Sequence, residues 1–226
     1  RWSADLGLWR GPSFPGSDQG PTAPSLHLGW ATGPWSLDGV WAGFRPRARG
    51  TSASLTADHS HASPECNASL VEVVCFDGRS RLAGASLRWS GRDAGQGLPL
   101  TLALAGWLRS ESGRLESADG LADYQGRSRG MWADAIWHLG SGTELGWRAE
   151  RVVASHRLAG AGASLVARAA RLDAYAPVTR HTLSLGQRLT PWAEVRLELG
   201  REGRAGAHVR FAAFRLLLAT GGPVGD

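Results

Sequence analysis

Apolar and polar residues alternate with period two over most of this chain. In residues 192–202 (W-A-E-V-R-L-E-L-G-R-E), Ala193, Val195, Leu197 and Leu199 fall on one side, and Glu194, Arg196, Glu198 and Gly200 on the other. Successive side chains of a strand point to opposite faces, so the stretch predicts a strand with one apolar and one charged face. Residues 181–189 repeat the pattern, with Leu183 and Leu185 opposite Ser184, Gly186 and Arg188, and Thr190-Pro191 links the two as a hairpin.

The same alternation predicts strands at 2–8, 25–30, 35–44, 52–58, 98–108, 124–139, 144–150 and 208–219. The second half of 35–44 loses the clean alternation, which predicts a bulge or a register change. Residues 70–76 and 81–89 read as two strands around Asp77-Gly78, a hairpin dipeptide. Residues 109–123 are polar and predict a long loop. In 156–170, Ala159, Ala161, Ala163, Ala167 and Ala169 share one face with Leu165, opposite Gly160, Gly162, Ser164 and Arg168; Val166 is the exception. Alanine also favours helix, but the period of two and Gly160-x-Gly162 predict a strand, which Leu172 to Tyr175 extends.

The reading yields about 12 or 13 strand-like segments at a mean spacing of about 18 residues, wider than the interval usual in soluble sandwiches. It fits strands of membrane-spanning length plus loops. Short turns at Gly33-Pro34, Ser141-Gly142 and Thr190-Pro191 contrast with long loops at 11–24, 60–68 and 109–123. Trp30 and Trp35 flank the first short turn, Trp137 and Trp147 the second, and Trp192 sits on the third. Tryptophan prefers the membrane–water interface, where its ring is apolar and its N–H finds a polar partner. These five mark an interface girdle.

Composition adds three points. The sequence holds 226 residues with 31 Gly and 11 Trp, and its 25 basic residues are all Arg. The formal charge of +5 and the absence of a basic run with interleaved aromatics argue against nucleic-acid binding. No apolar run reaches the length of a spanning helix, and no signal-peptide pattern opens the sequence, so a membrane reading rests on strands. Cys66 and Cys75 lack metal-type spacing and predict a disulfide that staples a loop near 59–76, as in an oxidising compartment.

The alternation, the turn pattern and the Trp positions together resemble the bacterial outer-membrane β-barrel superfamily. The resemblance implies an all-β, single-domain, antiparallel transmembrane β-barrel over 1–226, of about 12 strands (10–14), in the bacterial outer membrane. Such barrels often end on an aromatic residue; here Phe211 and Phe214 sit mid-strand on opposite faces, which leaves a bulge, a different terminus or a departure from the barrel pattern at this strand. With the charged faces inward, Glu144, Arg148, Glu150, Arg188, Glu194, Arg196 and Glu198 form a lumen charge network. The expected function is a narrow channel or export pore, or a structural barrel of an envelope complex. The competing expectation for the fold is a secreted Trp-rich β-sandwich that binds ligands.

Some outer-membrane lipid hydrolases carry His-x-Ser near the outer rim. His61-Ala62-Ser63 is similar in spacing, with Asp58 placed to orient a histidine. The segment also reads as the start of a loop, so the expectation is no enzyme. No cofactor and no metal are expected; His59 and His61 lack a third nearby histidine. Expected partners are the lipid bilayer, lipopolysaccharide and other envelope proteins. Small residues admit close approach of another surface, so Ala159, Ala161, Ala163 and Ala167 form a candidate partner face.

Overall fold

The computed structural model describes residues 1–9, 23–50, 66, 68, 73–91, 99–140, 142–172 and 176–218. The strands are β1 (Trp2–Trp9), β2 (Ala23–Thr32), β3 (Trp35–Phe44), β4 (Arg49–Gly50), β5 (Val74–Ser90), β6 (Leu100–Ser117), β7 (Gly120–Gly140), β8 (Thr143–Ala159), β9 (Val178–Thr190), β10 (Ala193–Arg204) and β11 (Ala207–Leu218); one helix, α1 (Ala163–Ala169), lies between β8 and β9. All strands join one antiparallel sheet in the order β1-β2-β3-β5-β6-β7-β8-β9-β10-β11, with β4 on the upper edge of β5. Apart from the two-residue β4, each strand thus pairs with the next in the chain, the connectivity of an up-and-down barrel. A sandwich of two packed sheets is not what forms. Among the described residues the sheet is open between β1 and β11. No helix among them is long and apolar enough to cross a membrane.

The two faces of the sheet invert the arrangement found in water-soluble proteins. The apolar face is exposed: Leu104 is 56% accessible, Leu183 55% and Leu199 53%. On the opposite face Ser80, Ser90, Thr101 and Glu194 are buried. A chain folded in water gains free energy by hiding apolar area. This one displays a band of it, which is stable only where something apolar covers it.

Connections sort by end. Gly33-Pro34 and Pro191-Trp192 are tight turns at one end, and Gly142 lies in the turn between β7 and β8 at the same end. The opposite end carries the segments between β1 and β2, between β3 and β5, and the α1 connection, along with an extension of β5 to β8 beyond β3, which stops at Ser80 of β5, and beyond β9, which stops at Val152 of β8. At this end a disulfide joins Cys66 to Cys75 of β5, with Cα atoms 5.7 Å apart.

Several expectations are corrected. Asp77-Gly78 does not turn the chain; β5 runs straight through it. The predicted loop at 109–123 is instead the β6–β7 hairpin, with a turn at residues 118–119. Its polarity reflects strand faces that rise clear of the apolar band. The predicted bulge in 35–44 is absent, since β3 pairs in continuous register with β5 from Trp35↔Trp89 to Phe44↔Ser80. The bulge suggested by Phe211 and Phe214 is also absent: β11 holds register with β10 along its length. The turn after β9 is Pro191-Trp192, one residue later than expected. The predicted strand at 52–58 and the loop at 60–65 lie outside the described residues, as do residues 11–22 of the first loop; Ala23 and Pro24 already belong to β2.

The alanine-rich stretch is the largest correction. Gly160, at φ 109°, ends β8 in a backbone region that side chains avoid. The chain then winds into α1, where Val166 N–H donates to Gly162 O (3.0 Å) and Ala170 N–H to Val166 O (2.9 Å). Ala159 ends β8, Ala161 lies in the turn, and Ala163 and Ala167 are on the helix, so the four share no strand face. Leu172 is irregular rather than strand, and 173–175 lie outside the described residues. Val166, the exception to the alternation, is the fully buried residue, packed with Val74, Phe76, Leu115, Ala122, Tyr124 and Ala170. Helical spacing places Ala163, Val166 and Ala170 on one face, and that face covers the polar side of β5–β7 at the long-loop end.

Candidate channel wall and its capped mouth

The register of β10 fixes which charges meet. Glu194, Arg196 and Glu198 share the polar face, with Glu144, Arg148 and Glu150 on β8 and Arg188 on β9. Arg196 clasps Glu194 through Nη2 (2.8 Å) and Nε (3.1 Å), and its Nη2 lies 4.0 Å from Glu144 Oε2. Glu144 Oε1 is 2.9 Å from His138 Nδ1, and His138 Nε2 is 3.1 Å from Thr101 Oγ1. One polar line thus crosses from β10 to β6. A second rank pairs Arg215 with Glu198 at 3.0 Å. In a third, Arg148 Nε sits 3.4 Å from Asp134 and 3.5 Å from Glu150, its guanidinium over the Trp132 ring. Arg188 stands opposite Glu194 in the register, and its backbone N–H donates to Gly142 O.

Pairs that the sequence reading missed complete the wall. Arg180 binds Glu202 across β9–β10 and lies over Phe211. On β2, His27 lies between Asp5 (3.1 Å) and Asp38 (3.2 Å). The signal for all of these was present as polar-face residues at matching register. Only the register itself was missing, because residue alternation does not fix it.

The mouth at the long-loop end is more closed. Beneath the apolar cap of Phe76, Leu115, Tyr124 and Val166, Glu111 sits between two arginines: Arg49 Nη1 at 2.7 Å and Arg109 Nη2 at 2.6 Å. Arg49 and Glu111 are nearly buried, and the Arg49 guanidinium lies 4.6 Å from the Phe76 ring centroid. This region stands above the apolar band. Burial would raise the Glu111 carboxyl, but the hydrogen bond and charge of Arg49, with Arg109, outweigh it and hold it below the usual carboxylate range. Burial pushes the Tyr124 hydroxyl up to about 12. Tyr124 therefore stays protonated, and its hydroxyl is hydrogen-bonded to His156 Nδ1 at 2.9 Å, while burial lowers the His156 pKa.

The tryptophans report the other rim. Trp2 pairs with Trp30, centroids 6.0 Å apart, and Trp35 with Trp89 at 6.5 Å. Trp137 and Trp192 are exposed at the tight-turn end. Trp147 lies one apolar-face position further along β8 than Leu145, stacked on His181 at 6.3 Å. Trp2, paired in register with Trp30, and Trp89, paired with Trp35, stand at the same end. Asp58, His61 and Ser63 lie outside the described residues. Among those described, no cluster of three or more His, Cys, Asp or Glu could hold a metal ion.

Solved structures share this arrangement. A loop L8 deletion mutant of OmpT, an outer membrane protein of Vibrio cholerae, superposes with a TM-score of 0.61 at 9% identity, over 96% of this chain and 58% of that one. OmpT expressed in the outer membrane of Vibrio cholerae gives 0.59 at 10% identity, over 96% and 60%. OmpT folded in vitro gives 0.55 at 10%, over 94% and 56%. This is the outer-membrane β-barrel fold. The chain spans less than two thirds of the length of these OmpT chains. No protein-family model and no curated protein matches the sequence. In this fold the polar face is the barrel interior and the apolar face the lipid-facing exterior.

Proposed function

We propose that this protein resides in a bacterial outer membrane and forms a narrow, weakly charge-selective channel, without catalytic chemistry of its own. One observation carries the reading: a wall of compensated ion pairs lies on the sheet face opposite an exposed apolar band. A polar wall offers solutes hydrogen bonds in place of hydration, and alternating Arg and Glu leave little net field to select one ion sign. α1 narrows the mouth on the β5–β7 side, which limits passage to small or extended solutes.

Single-channel recording of the purified protein in planar bilayers tests this. The expected result is a stable conductance with little preference between cations and anions. Replacing Glu144, Glu194 and Glu198 by Gln uncovers their arginine partners and shifts the reversal potential toward anion selectivity. A silent bilayer with correctly inserted protein overturns the channel and leaves a structural barrel. For the non-enzymatic part, protein carrying Ser63→Ala and the unaltered protein release equal background amounts of fatty acid from phospholipid vesicles; a Ser63-dependent release overturns it.

A further inference from the structure

The lipid-facing side carries a second charge pattern that the channel does not use. On five strands an arginine stands on the apolar face toward the long-loop end; it closes the band on four, and on β8 Val153 lies one same-face position beyond Arg151. Arg81 follows Ala83 on β5, Arg129 follows Met131 on β7, Arg151 follows Ala149 on β8, Arg201 follows Leu199 on β10, and Arg210 follows Ala212 on β11. His181 holds the same place on β9. The opposite rim carries tryptophan instead.

Two features set these five apart from the arginines of the wall. All five are exposed, and none forms an ion pair among the described residues. The described carboxylates on the same face, Asp77, Glu116 and Asp123, stand further out toward the hairpin tip. Arg201 and Arg210 are also direct register partners, with His181 on the other side of Arg201. Like charges directly opposite on a sheet repel. Two arginines directly opposite in register, with no carboxylate partner among the described residues, are stabilised by an anion from outside the chain.

We infer that this arginine belt binds the phosphate groups of lipid headgroups in the leaflet at the long-loop end, with Arg201 and Arg210 as its strongest clamp. The inference rests on the outer-membrane reading above. Guanidinium binds phosphate bidentately, and the belt lies at headgroup depth directly above the hydrocarbon band. A lipid carrying two phosphates on one headgroup, such as lipid A, spans neighbouring strands and engages both arginines.

The test reconstitutes the protein in nanodiscs of neutral lipid doped with bis-phosphorylated lipid A, with enzymatically dephosphorylated lipid A, or with no lipid A plus inorganic phosphate. Co-purified lipid A is counted by mass spectrometry. The expected result is retention of the phosphorylated form over the dephosphorylated form. R201Q/R210Q lowers that retention by about fivefold per arginine, about 30-fold for the pair. Equal retention of both lipid forms overturns the inference, as does displacement of lipid A by millimolar inorganic phosphate, which makes the belt a free-anion site. The comparison of lipid forms on the unaltered protein decides the matter even if the double variant fails to fold. Protein that inserts in no bilayer refutes the outer-membrane reading itself, whereas insertion without phosphate preference refutes only the belt.

Discussion

At the scale of single residues, the mouth cluster shows how burial and charge are balanced. Glu111 serves two arginines, and Arg49 is nearly buried. Removing one partner of a buried pair leaves the other uncompensated, at a cost of about 3–5 kcal/mol. Glu111→Ala should therefore lower stability in detergent unfolding by about that amount, more than Arg109→Ala, whose side chain is partly exposed. The same cluster gives a pH dependence. Glu111 has a depressed pKa, so its contribution is full above the ordinary carboxylate range and is lost as pH falls through its folded value. His156, lowered from 6.5, has the same sign: its neutral form is preferred in the fold, so stability declines as pH drops below the ordinary histidine range. Protonation of His156 also fixes Nδ1 as a donor, so the Tyr124 hydroxyl can then only accept from it. Acidification from pH 7 to pH 4 should thus speed amide exchange in residues 163–172 and the β6–β7 tip, while the short-turn end stays protected. His156→Gln should delay the onset to lower pH, since only Glu111 then titrates. An exchange profile flat across this range removes the proposed role of both groups.

At the scale of elements, α1 and β5 show where sequence pattern reaches its limit. An alanine-rich run satisfies period two and period 3.6 equally, because alanine carries little signal about which face is covered. Val166 alone separated the readings. As a strand residue it broke the alternation; as a helix residue it is the anchor of the cap. Val166→Asp places a carboxylate in the apolar cluster of Phe76, Leu115 and Tyr124, and burial of a polar group there costs several kcal/mol. The expected outcome is release of α1 alone, seen as proteolytic cleavage within 160–172 while the barrel remains heat-modifiable on a detergent gel. Loss of the whole fold would mean that α1 is integral to the sheet rather than a cap. β5 was misread for a different reason. Asp77-Gly78 has hairpin chemistry, but a Cβ at Gly78 would stand 2.3 Å from Ser112 O, and one at its partner Gly113 2.0 Å from Asp77 O. These glycines permit close approach of two backbones, a use that local sequence cannot distinguish from a turn. The strands with Leu or Val opposite Arg or Glu were legible because both faces carried signal. The wall charges were legible as a set, while their pairings awaited the register between strands that the chain connects only through turns and loops.

At the scale of the whole molecule, the inverted distribution of polarity makes the strongest demand on the surroundings. On β6 the apolar face runs from Leu100 to Leu108, about 26 Å along the strand at about 3.3 Å per residue. With a strand tilt near 40° that becomes roughly 20 Å along the membrane normal, close to the lipid-facing band of outer-membrane barrels. Leu104 stands at its centre. On β7 the band ends at Met131 below Arg129, and Leu121, also exposed, lies well beyond it near the hairpin tip. A soluble protein would feel arginine at these two exposed leucines alike. A membrane barrel would not, because a charge at the bilayer midplane costs about 2–4 kcal/mol and near or beyond the interface about 0–1 kcal/mol. Leu104→Arg should accordingly lower the folding free energy in lipid vesicles by about 2–4 kcal/mol, and Leu121→Arg by less than about 1 kcal/mol. In short-chain detergent, where the apolar layer adapts around a charge, the difference between the two should shrink. Equal costs in vesicles would place the hydrocarbon boundary elsewhere and detach the arginine belt from headgroup depth, so this pair of substitutions tests the band and the belt by one measurement.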